Sequence, residues 1–209
     1  MSGLFVKICG MTNPEDARIA VEAGADAIGL IFVPDTPRYV TVEAAKAIAR
    51  AVPASVSRVG VFVDAPVAEI NRVAREVPLE VVQLQGELSP EQAGRVVVAY
   101  LKVVRVRGAI DVEALRAYKA RAIVLDTFVE GKPGGTGRTF DWELARPVVE
   151  AGLPVLLSGG LTPDNVAEAV RRVRPFGVDV SSGVEARPGH KDHDKVRAFI
   201  ANAKGAWRD

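Results

Sequence analysis

The strongest constraint on this chain is a unit that repeats: a short run rich in Val and Ile, a Gly or Pro turn, then an amphipathic helical segment. The runs Leu4–Cys9, Ala27–Val33, Ser57–Val63, Glu80–Leu84, Leu101–Val106, Ala122–Asp126, Val155–Ser158 and Gly177–Ser181 read as strands. Most are almost continuously apolar, as parallel strands buried on both faces must be. Helix starts alternate with them. Asn13-Pro14-Glu15-Asp16 supplies a cap, a proline at the first helical position and acids in the first turn, and Thr41, Ser89-Pro90 and Thr162-Pro163 mark further starts. Helices are expected at Val42–Ala51, Val67–Glu76, Asp111–Lys119, Glu143–Ala151, Asn165–Val173 and Asp192–Ala203.

Strict βα alternation requires a parallel sheet with right-handed crossovers. Eight such pairs select an α/β fold of one kind, a single-domain (β/α)8 TIM barrel over residues 1–209. An open doubly wound sheet would show about six strands and a GxGxxG turn after the first, and this chain has no such turn there. With 209 residues the chain is shorter than the ~250 typical of the fold, so its loops must be short and a long one stands out.

Bulk properties narrow the function. The net charge of +1 argues against nucleic acid or an anionic membrane as partner. No apolar run is long enough for a membrane span, and the N-terminus has no secretory pattern. One cysteine and two histidines exclude a disulfide framework and leave few soft metal ligands, so no metal site is expected. Together these indicate a soluble cytoplasmic protein. Oligomeric state is left open between monomer and homodimer, because no exposed apolar stripe stands out.

In a (β/α)8 barrel the active site lies at the C-terminal ends of the strands. Those ends carry Cys9, Arg38 after Pro34 and Pro37, Gln83-Leu84-Gln85-Gly86, Asp126, Ser158-Gly159-Gly160 and Asp179-Val180-Ser181-Ser182-Gly183. The last two groups read as a phosphate cradle: small residues let the backbone N–H groups approach an anion, and loops after strands seven and eight are the usual phosphate site of the fold. Their bland alternative is two glycine turns. Asp126 ends a buried apolar strand, where burial would raise its pKa toward general-acid use; helix capping is the alternative. Gly134-Gly135-Thr136-Gly137, inside a glycine-rich stretch after strand six, reads either as a mobile cover over the ligand or as a plain flexible surface loop. Cys9 alone would pass for a small buried hydrophobe. Side chains alternate along a strand, so Lys7 shares its face and should lie beneath it, with Asp179 of the neighbouring eighth strand as partner. Lys7 would then favour the Cys9 thiolate, or serve only as half of a structural ion pair.

These motifs, with Val6-Lys7-Ile8-Cys9-Gly10-Met11-Thr12, Thr36-Pro37-Arg38, Val82-Gln83-Leu84-Gln85-Gly86, Leu157-Ser158-Gly159-Gly160-Leu161 and Ser181-Ser182-Gly183-Val184-Glu185 in this order, resemble the phosphoribosylanthranilate isomerases of tryptophan biosynthesis over nearly the whole chain. The resemblance implies a cofactor-independent (β/α)8 barrel. Its reaction is the Amadori rearrangement of N-(5-phosphoribosyl)anthranilate, a small phosphorylated substrate. It implies Cys9 as general base, Asp126 as general acid, Arg38 on the anthranilate carboxylate and Asp179 near the substrate amine. The phosphate would lie on Gly159, Gly160, Ser181, Ser182 and Gly183. One departure stands out: the family commonly has histidine where this chain has Gln85, which hydrogen-bonds but does not titrate. Two other readings stay open at this level. One is the ProFAR isomerase of histidine biosynthesis, a similar barrel whose base is an aspartate at the end of strand one. The other is a non-catalytic phosphate-binding barrel, which would need neither Cys9 nor Asp126.

Overall fold

A computed structural model describes residues 3–127 and 139–208. Eight parallel strands close on themselves in sequence order. They are β1 (Phe5–Ile8), β2 (Ala27–Ile31), β3 (Ser57–Val63), β4 (Val81–Gln85), β5 (Ala99–Val106), β6 (Ala122–Thr127), β7 (Val155–Leu157) and β8 (Gly177–Val180). The helices that follow them are α1 (Pro14–Glu22), α2 (Val42–Arg50), α3 (Val67–Glu76), α4 (Pro90–Ala93), α5 (Val112–Arg116), α6 (Arg146–Glu150), α7 (Val166–Val173) and α8 (His193–Arg208). The expected architecture is the observed one. Closure is made by β1 against β8, where Lys7 faces Asp179 and Ile8 faces Val180.

The alternation of side chains sorts the apolar residues into two cores. Ala27, Val59, Val81, Leu101, Val124 and Leu156 fill the lower interior of the barrel. Val6, Ile8, Ile28, Leu30, Val82 and Leu125 point the other way and pack beneath the helices. Most strands are therefore apolar on both faces, which is why they read as nearly continuous apolar runs; Lys7 on β1 and Asp179 on β8 are buried charges within that pattern. The caps behave as their residue types require: Asn13 accepts from Asp16 N at 2.9 Å and Thr41 from Ala44 N at 3.2 Å. Ser89 and Gln92 form a reciprocal capping box.

Four segments differ from expectation. The helix expected over Glu143–Ala151 is a 3-10 turn, Trp142–Ala145, followed by the five-residue α6. α5 is only five residues long, because the chain turns at Lys119, which takes a left-handed φ of 50°. α8 runs on through Gly205 to Arg208, carried by burial of Ala206 and by Trp207 packed against the core. After β8 a small hairpin appears that no strand pattern announced: β9 (Glu185–Arg187) and β10 (His190–Lys191), with Gly189 at φ 82° between them. Strands of three and two residues are too short for a period-two signal. Among the described residues no helix is long and apolar enough to cross a membrane, and no cluster of three or more His, Cys, Asp or Glu could hold a metal ion. The glycine stretch Gly134-Gly135-Thr136-Gly137, read above as a cover, lies outside the described residues.

Candidate active site

Cys9 sits one residue beyond β1, and its N–H donates to Val180 O at 2.7 Å. The chain then turns at Gly10, φ 78°, with the N–H groups of Gly10 and Met11 both donating to Gly29 O at 3.0 and 2.9 Å. Gly29 is the residue that makes room: a Cβ there would lie 2.5 Å from Cys9 Sγ. A glycine inside the apolar run of β2 was the available signal for this close approach.

Lys7 lies directly below, fully buried, with Nζ 2.9 Å from Asp179 Oδ1. The alternation argument therefore gave both the face and the partner. Burial alone would lower the Lys7 pKa; Asp179 and Cys9 more than offset it and hold the lysine above its ordinary value. Burial pushes the Cys9 thiol up, Lys7 pulls it down and Asp179 pushes it up again, with a net rise. Lys7 thus limits the rise without reversing it. Lys7→Met is expected to raise the thiol pKa further. It should also reduce stability by about 3–5 kcal/mol, because Asp179 loses its buried partner. Thiolate absorbance against pH and urea denaturation read the two effects separately.

Asp126 is the penultimate residue of β6 and faces the same cavity from across the barrel mouth. Burial raises its carboxyl to about 6, against the Thr127 N–H that donates to Oδ1 at 2.8 Å. Asp179 adds to the rise; Arg105 and Lys7 oppose it. The sequence expectation of a raised carboxyl holds, and Cys9 and Asp126 line one cavity.

The loops after β7 and β8 form one wall of that cavity with Gly159, Gly160, Ser181, Ser182 and Gly183. The N–H groups of Gly159, Gly160 and Ser182 donate to no protein acceptor among the described residues. Asn165 fixes the first loop by donating to Gly160 O at 3.0 Å and accepting from Thr162 N at 2.8 Å. At Gly183 a Cβ would collide with the carbonyl oxygen of Leu161, so glycine lets the two loops touch. Short polar side chains and unused donors at this place make an anion cradle.

Arg38, Gln85 and Asp179 also line the cavity. Arg38 is held by Glu185, its Nε and Nη2 donating at 2.7 Å each to the two carboxylate oxygens. Every described residue singled out for the site is therefore on this rim. The sequence reading missed Gly29 and Lys191 on the hairpin; Ser158, read there as part of the cradle, also has its hydroxyl 3.5 Å from Asp179 Oδ2.

The fold and this site define a class: a (β/α)8 barrel whose cavity at the strand ends is lined by a thiol, a raised carboxylic acid and the glycine turns after β7 and β8. A family model described as N-(5'phosphoribosyl)anthranilate (PRA) isomerase matches residues 6–202. The chain belongs to that family. An N-(5'-phosphoribosyl)anthranilate isomerase of Geobacter sp. (strain M21) is 51% identical over 199 residues, covering 95% of this chain and 97% of the relative. The crystal structure of phosphoribosyl anthranilate isomerase from Thermotoga maritima is 46% identical, with a TM-score of 0.87 and coverage of 97% and 99%. A phosphoribosyl anthranilate isomerase in complex with reduced 1-(o-carboxyphenylamino)-1-deoxyribulose 5-phosphate is 44% identical, with a TM-score of 0.83 and the same coverage.

Proposed function

We infer that this chain is an isomerase of tryptophan biosynthesis. It converts N-(5'-phosphoribosyl)anthranilate to 1-(2-carboxyphenylamino)-1-deoxyribulose 5-phosphate, an intramolecular aldose–ketose conversion. The observation that carries the reading is that Cys9 and Asp126 face one cavity walled by the glycine cradle, in a chain of this family.

Each residue has a task in that reading. The phosphate lies on the unused N–H groups of Gly159, Gly160 and Ser182, with Ser181 and Gly183 completing the cradle. Arg38 takes the anthranilate carboxylate, since a guanidinium suits a planar anion. Protonated Asp126 gives its proton to the furanose ring oxygen. The bond from that oxygen to C1′ breaks as the amine lone pair forms the C1′=N bond of a Schiff base. The positive nitrogen acidifies the C2′ proton, which the Cys9 thiolate removes. The electrons left behind form an enolamine, and its tautomerisation, with a proton gained at C1′ and one lost from O2′, gives the ketone. Asp179 lies near the amine, anchored by Lys7. Gln85 supplies a neutral contact that does not change with pH.

The test is direct. Purified protein is given N-(5'-phosphoribosyl)anthranilate generated in place, and the loss of anthranilate fluorescence is followed. Turnover is expected without added metal or cofactor; no turnover by folded protein overturns the reading.

A further inference from the structure

Behind the cavity wall lies an ion cluster that the mechanism above does not use. Glu185, at the start of β9, receives both guanidinium bonds of Arg38, and its Oε1 is also 3.2 Å from Lys191 Nζ. Lys191, on β10, additionally donates to Ser181 O at 3.1 Å. The side chains of Glu185 and Lys191 are 5% and 0% exposed. Neither residue lines the cavity, whereas Arg38 and Ser181 do.

We propose that Glu185 is a positioning residue that presents Arg38 to the carboxylate of the substrate. The proposal rests on the reading of Arg38 given above. Two features support it. The first is geometric. A guanidinium has five N–H donors in a rigid plane. Glu185 takes Nε and one hydrogen of Nη2, which fixes that plane and leaves Nη1 without a protein acceptor among the described residues. An arginine bound side-on in this way is preorganised, so its free edge meets a ligand without losing rotamer freedom at that moment. The second is charge. One carboxylate serves two cations, the half-buried Arg38 and the buried Lys191. Asp16, the other acid nearby, accepts the backbone N–H of Lys191 and Asn13 Nδ2 through Oδ2 at 2.9 and 2.8 Å, and its Oδ1 is engaged with His193, so it pairs with neither cationic side chain. Counted over Arg38, Lys191 and Glu185 the formal charge is +1, and Arg38 carries its guanidinium to the cavity wall. One carboxylate on the ligand would balance that charge.

Calorimetric titration tests this with two stable probes: reduced 1-(o-carboxyphenylamino)-1-deoxyribulose 5-phosphate and its counterpart lacking the carboxylate. Wild type is expected to prefer the carboxylated probe at least about thirtyfold, within the range of a charge-assisted bond. Arg38→Met should abolish the preference. Glu185→Gln should reduce it below about fivefold and raise KM about tenfold, with kcat within threefold. Because Glu185→Gln leaves two cations unbalanced, Glu185→Gln/Lys191→Met is made beside it; its thermal unfolding should return toward wild type while the preference stays low. If the folded double variant keeps the wild-type preference and Arg38→Met loses it, Glu185 does not position Arg38. If Arg38→Met itself keeps the preference, the reading of Arg38 fails and the proposal falls with it.

Discussion

Asp126→Asn should lower kcat by about 10³-fold while making the protein more stable at alkaline pH. In the reading given above, the rate loss follows from removing the group that protonates the ring oxygen, since a general acid contributes roughly 10²–10⁴-fold. The gain in stability follows from the raised carboxyl. Folding lifts it from 3.8 to about 6, so Asp126 favours the folded state fully below its unfolded value and loses that contribution as pH rises through about 6. At pH 8 the ionised carboxylate is a burden of up to about 3 kcal/mol, which a neutral asparagine does not carry. Urea denaturation at pH 8 should show the variant more stable, and below pH 4 the difference should disappear.

The same pair of pKa shifts dictates an unusual pH profile for the wild type. The reactive arrangement has Asp126 protonated and Cys9 as thiolate. Yet the acid sits near 6 and the thiol above its ordinary value, so at neutral pH the dominant form is carboxylate and thiol. The two forms hold the same number of protons, and their ratio does not change with pH. kcat/KM should therefore be flat from about 6 up to the thiol pKa. Below about 6 both groups are protonated, the base is lost, and the rate should fall tenfold per pH unit. These limbs belong to the pair as a unit. A limb near 6 that survives in the residual activity of Asp126→Asn would overturn the assignment.

Cys9→Ser is expected to cost about 10³-fold in kcat, again within the range of a lost general base. The hydroxyl fits the space left by Gly29, but it does not ionise at these pH values, so Lys7 beneath has no anion to favour. Binding of the reduced product analogue should stay within threefold, which separates lost chemistry from lost fold. Because Cys9 moves a proton and never bonds to carbon, no thioether should accumulate in wild type during turnover. A covalent adduct seen by mass spectrometry, or near-full activity in Cys9→Ser, would remove Cys9 from its role as base.

How far the chain could be read without coordinates depended on the range of the interaction. The eight strands were legible because two-sided burial writes itself as unbroken runs such as Ala122-Ile123-Val124-Leu125. The Lys7–Asp179 pair was legible because strand alternation and barrel closure are both rules of geometry. The hold of Glu185 on Arg38 was not. It joins residues 147 positions apart through a hairpin too short to leave a pattern. Lys191, on the same hairpin, left no signal for the same reason. Gly29 carried a signal, a glycine where a strand wants a side chain, but nothing local said that a thiol filled the gap. The raised carboxyl of Asp126 was foreseen from its buried strand, while its opposition to Cys9 across one cavity needed the closed ring.

The closure itself has a consequence in time. Lys7 meets Asp179 across 172 positions, Asp16 meets the Lys191 backbone across 175, and Thr12 donates to Gly189 O across 177. Contacts of such separation are made only after nearly the whole chain exists, and their loop entropy makes them late in folding. Cys9 is thus among the first residues synthesised, with Lys7 beside it, yet Asp179 and Lys191, which complete the charges around it, come from the last quarter of the chain. A nascent or partly folded barrel holds an ordinary thiol. Its proton-abstracting character arrives with the final βα unit, so catalytic competence and completion of the ring are one event.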